Sequence, residues 1–78
     1  MTWIGKAVRY HRKKSGLTQK ELADLAGIGK TAVFDIEHGK QTVQLETLMS
    51  VFHVLNIKVT LQSPLMNAWR KEAGYEKV

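Results

Sequence analysis

The chain contains no cysteine. That excludes a disulfide framework and a thiolate metal site, and it fits a protein of a reducing cytosol. No hydrophobic run approaches the length of a membrane span. The opening Met1-Thr-Trp-Ile-Gly-Lys-Ala-Val lacks the continuous apolar stretch of a signal peptide, so the expected location is cytoplasmic. There is one proline, no internal repeat and no low-complexity segment. No nucleophile stands with a plausible base, no Gly-rich loop is set to cradle phosphates, and His11, His38 and His53 lack metal-ligand spacing. The expectation is therefore a non-enzyme with no cofactor and no metal.

Acidic side chains are also scarce, 7 against 12 Lys and Arg, for a net charge of +5. Residues 1–43 hold eight basic and four acidic residues; residues 44–78 hold four and three. The first half carries most of the field, which points to a polyanionic partner. With 78 residues the chain is one small domain that gains from extra burial in an oligomer.

Helical periodicity and stop signals divide the chain into short pieces. Residues 4–14 read as a helix with Ile4, Val8 and His11 on one face and Ala7 beside them. Gly16 ends it. Thr18 fits an N-cap, with Glu21 completing a capping box before Gln19–Ala26. Gly27 stops that helix, Gly29 caps the next, Lys30–Glu37, and Gly39 ends it. Leu22, Ala26, Ile28, Val33 and Ile36 form an inner surface for two short helices joined at a tight turn, with Ala23 small at their closest approach. Thr42–Leu55 reads as a longer helix with Leu45, Leu48, Phe52 and Leu55 inward and Val51 flanking. Asn56 suits a left-handed stop. Ile57–Gln62 then alternates apolar and polar residues, the mark of a strand. Ser63-Pro64 introduces a last helix at about 65–73, stopped by Gly74, before a frayed end from Tyr75 to Val78.

Two short helices across a glycine turn have the spacing of a helix-turn-helix, whose second helix enters the DNA major groove. The strand is equally informative. Ile57, Val59 and Leu61 point one way and no second strand exists in the chain to pair with it. Its backbone groups need a partner, and the same strand of a second copy is the simplest one.

The segments Arg12-Lys-Lys-Ser-Gly-Leu-Thr-Gln-Lys-Glu-Leu-Ala, Ala26-Gly-Ile-Gly-Lys-Thr-Ala-Val, Ile36-Glu-His-Gly-Lys and Leu45-Glu-Thr-Leu resemble the lambda-repressor/Cro (XRE-type) helix-turn-helix family over residues 4–56. The strand that follows resembles the HipB-type antitoxin branch. The resemblance implies an all-α, lambda-repressor-like domain of four to five short helices plus one C-terminal β-strand pairing across a homodimer. The corresponding divisions are a DNA-binding domain at 1–56, a dimerisation strand at 57–62 and a tail at 63–78. The implied partners are double-stranded DNA with a near-palindromic operator, a second copy, and a HipA-like Ser/Thr kinase toxin whose operon the protein would repress. The alternative is a free-standing Cro-like repressor.

Gln19 is implied to bond a phosphate; Gly29, Lys30, Thr31 and Phe34 to face the major groove; Lys40, Gln41 and Thr42 to meet the backbone. Arg12 and Glu37 are implied to pair between helices. Three positions depart from the family pattern. Gly29 replaces a polar cap, Phe34 stands where a small polar residue is common, and His11 stands where an aliphatic core residue is common. Phe34 either reads a base or packs on the fourth helix. Asp35 reads as a solvated or intramolecular partner. Trp69, with Leu65 and Met66, offers either a toxin contact or a surface that packs on the dimer.

Overall fold

Five helices follow one another in the computed structural model, which describes residues 2–73. They are α1 (Thr2–Lys14), α2 (Gln19–Ala26), α3 (Lys30–Glu37), α4 (Leu45–Val54) and α5 (Met66–Ala73). No strand occurs among the described residues. Gly74 and the Tyr75–Val78 end, expected to stop the last helix and to fray, lie outside them.

The first four helices begin and end by shared rules. Each ends in a Schellman motif. The residue at or just past the helix cap, Gly16, Gly27, Gly39 or Asn56, has φ of 74°, 71°, 78° or 58°. The next amide bonds back across six residues, Leu17 to Arg12, Ile28 to Ala23, Lys40 to Asp35 and Ile57 to Phe52. Three helices also start alike. An apolar residue before the N-cap and another in the second helical turn both join the core: Leu17 with Leu22, Ile28 with Val33, and Val43 with Leu48. This is the placement of a hydrophobic staple, which fixes the angle at which the chain enters each helix.

The core is built from Val8, Leu22, Ala23, Val33, Ile36, Leu48, Val51, Phe52 and Leu55, with Ile4, Ala26, Val54 and Ile57 partly buried against it. Leu22, Val8, Val33 and Val51 are fully enclosed, each contributing roughly 1.5–3 kcal/mol by leaving water. α2 packs most extensively on α3, α1 packs on α3, and α4 closes the layer beneath α2. No α5 pairing ranks among these extensive contacts.

Several sequence expectations need correction. α1 starts at Thr2 rather than residue 4. Its inward stripe is Gly5, Val8 and Arg12, while His11 is exposed. A buried arginine disguised that stripe, because periodicity counts Arg12 as polar. The His11 ring instead lies 2.6 Å from the Ala7 carbonyl through Nδ1. α4 starts at Leu45, three residues later than expected, with Gln44 as an extended N-cap. Val43 is the apolar anchor before it, and Leu45 stays exposed. Val51, expected at the flank, is fully buried. The alternating segment 57–62 forms no strand within the single chain. Only Ile57 packs on the core, whereas Val59 and Leu61 are exposed in the single chain. A strand is a paired structure, and no second strand stands beside this segment among the described residues.

Gly5 is a packing position that periodicity missed. A Cβ there would collide with the Ile36 carbonyl and sit 2.9 Å from that of Glu37. The absent side chain lets α1 cross directly over the end of α3.

Candidate nucleic-acid interface

The helix-turn-helix proper spans α2, the Gly27 turn and α3. Thr18 starts α2 with a full capping box. Its Oγ1 accepts from the Glu21 amide at 3.1 Å, and Glu21 Oε1 accepts from the Thr18 amide at 2.8 Å. Gly27 turns the chain through a left-handed conformation that is inexpensive for glycine alone. α3 follows two residues later from the extended N-cap Gly29, which offers no side-chain cap to the first amides.

α3 has two unlike faces. Val33, Ile36 and Glu37 are buried; Gly29, Lys30, Thr31 and Phe34 are exposed. Phe34, 47% exposed, stands outside the core cluster. Its ring stacks on His38 with centroids 3.8 Å apart and planes 21° from parallel. His38 is held in turn by a 2.8 Å contact of Nδ1 with the Phe34 carbonyl. An aromatic ledge thus sits one turn beyond Lys30. His38 escaped the sequence reading, though its i+4 spacing from Phe34 was visible. Past α3, Lys40, Gln41 and Thr42 lie exposed in the loop toward α4. Lys40 Nζ lies 3.4 Å from Asp35 Oδ2.

The back of α3 is fixed by a buried ion pair. Arg12 Nε donates to Glu37 Oε2 at 2.6 Å and Nη2 donates to Oε1 at 3.0 Å. Side-chain exposure is 9% for Arg12 and 1% for Glu37. The same guanidinium donates through Nη1 to the Leu17 carbonyl at 2.8 Å. One side chain therefore ties α1, the α1–α2 turn and the end of α3. Glu37 also accepts from Gln19 Nε2 at 3.2 Å. Burial pushes the Glu37 carboxyl up, but the hydrogen bonds from Arg12 and Gln19, with the charges of Arg12 and Arg9, outweigh it and hold the group below its ordinary value. Arg12 is raised, chiefly by its hydrogen bond to Glu37.

The resemblance placed Gln19 on a phosphate. Its side chain is half-buried and engaged with Glu37, which leaves an amide oxygen and a second N–H at the start of α2. Of the eight basic residues in 1–43, only Arg12 is buried. The Lys20–Asp24 pair at 2.9 Å is exposed on both sides and holds little charge back from solvent. Trp69 belongs elsewhere, half-exposed on α5 beside Leu61, Leu65 and Met66. Among the described residues no cluster of His, Asp or Glu is arranged to hold a metal, and no helix is long and apolar enough to cross a membrane.

Two close-packed short helices, an exposed basic and aromatic second-helix face, and a buried clamp behind it define a helix-turn-helix module. The family described as Helix-turn-helix matches residues 8–62. The chain belongs to the XRE-type helix-turn-helix family of DNA-binding transcriptional regulators.

An uncharacterized HTH-type transcriptional regulator, y4mF of Sinorhizobium fredii, is 38% identical over 61 residues, covering 78% of this chain and 80% of that protein. A putative HTH-type transcriptional regulatory protein of Methanothermobacter thermautotrophicus is 37% identical over 73% of this chain. That match spans only 18% of the archaeal protein. The competence pilus inhibition repressor of Acinetobacter baylyi is 45% identical over 38 residues, 49% of this chain and 34% of that protein.

Proposed function

We propose that this protein is a sequence-specific repressor that binds a near-palindromic operator as a homodimer. The observation that carries this reading is the exposed face of α3, with Lys30, Thr31 and Phe34 presented outward and Arg12–Glu37 locked behind them. Lys30 reads a guanine edge, Thr31 meets a phosphate or a thymine methyl, and Phe34 packs on a thymine methyl. Gln19, Lys40, Gln41 and Thr42 meet the phosphate backbone and set the register. Gly29 brings the α3 amides close to the DNA. Repression follows where the occupied site overlaps a promoter, and the repressor of Acinetobacter baylyi lends support. Sequencing the duplexes this protein retains from a random pool tests the reading. A two-fold-symmetric motif is expected, and retention without sequence enrichment refutes it.

The dimer in this proposal is built by Ile57, Val59 and Leu61. Residues 57–62 of two copies pair antiparallel about a two-fold axis, which satisfies their ladder groups. The recognition helices then lie roughly 34–36 Å apart, one DNA turn. A second reading rests on the exposed C-terminal apolar residues. In it the protein is a HipB-like antitoxin whose Trp69 contacts a HipA-like kinase. Recovery of a kinase with the protein from its native host supports that reading, and its absence leaves the free-standing repressor.

A further inference from the structure

A groove of about 440 Å³ runs between α1 and the segment after α4, walled by the apolar Trp3, Ile4, Ala7, Phe52, Ile57 and Val59, with the polar His11, Lys58 and Thr60 also lining it. Trp3 is 74% exposed along it. In the C-terminal arm Leu61 is 69%, Leu65 75% and Trp69 50% exposed, while Met66 is half-buried. α5 has eight residues, below the roughly 12–15 at which a helix stands alone in water, so its stability must come from packing. It takes part in none of the extensive helix contacts of its own chain. The radius of gyration is 14.9 Å, against about 11.5 Å for a compact chain of this length.

We propose that the groove receives α5 of the second copy, so that the two protomers exchange arms. The inference rests on the strand-paired dimer proposed above and follows from its direction. Antiparallel pairing centred on residues 57–62 brings residue 62 of one copy beside Ile57 of the other, within about 5 Å. The chain leaving residue 62 then runs past Ile57 toward Phe52 and α1, which are the groove walls. Only residues 63–65 separate it from α5, a reach of at most about 11 Å. A chain's own arm leaves its strand at the opposite end. The partner's Leu65 and Trp69 are thereby delivered to Trp3, Ile4 and Ala7, apolar against apolar. The exchanged arm continues the strand interface and enlarges the burial available to a small domain.

The absence of cysteine gives a clean test. The double variant Ala7→Cys/Leu65→Cys is treated with a short bis-maleimide linker while its mass is followed by sedimentation. Trp3→Cys/Leu65→Cys serves if the first variant misfolds, and the single variants are controls. The expected result is a dimer in solution and a covalent dimer on a denaturing gel, with little cross-linking in the single variants. Trp3→Ser should also weaken the dimer by about tenfold or more, as expected for loss of one apolar anchor. A dimer whose cross-link lies within one chain, or which forms none, overturns arm exchange and leaves strand pairing standing. A monomer at micromolar concentration overturns both.

Discussion

Glu37→Gln keeps the shape of the side chain and removes its charge. The Arg12 guanidinium, 9% exposed, is then left in the interior with a neutral partner that matches its fork poorly. Removing one member of a buried, hydrogen-bonded pair costs about 3–5 kcal/mol. A domain of this length is stable by about 4–12 kcal/mol, so the loss removes from about a quarter to all of that stability. Replacing both partners with methionine removes the stranded charge and should restore much of the loss. Urea denaturation followed by circular dichroism on the wild type, Arg12→Met, Glu37→Met and the double methionine variant gives the coupling energy. The pH dependence checks the same pair. The folded Glu37 carboxyl lies below its ordinary value of 4.5, so the folded state binds fewer protons there than the unfolded chain. Its stabilisation is present above that value and is lost as pH falls through the lower folded value. The wild type should lose more stability than Glu37→Gln between neutral pH and pH 3. A coupling energy below about 1 kcal/mol, the range of exposed pairs, would refute the reasoning.

Gly5→Ala should destabilise by about 1–3 kcal/mol through overpacking, because its methyl meets the backbone carbonyls of Ile36 and Glu37; a midpoint equal to wild type in urea would show that α1 shifts without cost. Val59→Pro removes a ladder donor on the proposed strand, so sedimentation should show monomer while helical circular dichroism persists. Gln19→Ala should weaken operator and random DNA about equally, as loss of a phosphate contact does; a selective loss on the operator in competition binding would assign it to base recognition.

Helix positions were largely legible because the stops are chemical. Gly16, Gly27, Gly39 and Asn56 mark left-handed turns whatever surrounds them, and Thr18 with Glu21 marks a start. What failed did so where a residue's type disguised its place. Arg12 is charged yet buried, which hid the true stripe of α1 and lent His11 a core position that it lacks. Gly5 carries no hydrophobic signal and matters through what it omits. Leu45 reads as core but precedes the turn at which α4 meets the interior, a boundary set by Val43. The α3 face was readable as a face; its aromatic ledge required the distance between Phe34 and His38. The alternation in 57–62 is plain in the sequence, but among the described residues it forms no strand.

The exposed face of α3 as the reader of DNA sequence is tested most directly by competition binding of Lys30→Ala against wild type, with the selected duplex and a random duplex at the same salt concentration. A base contact contributes about 1–3 kcal/mol of discrimination, so the ratio of the two affinities should fall by about 5- to 150-fold. Random-duplex affinity should fall only modestly. An unchanged ratio, with both affinities lowered together, would contradict the account and leave Lys30 on the phosphate backbone.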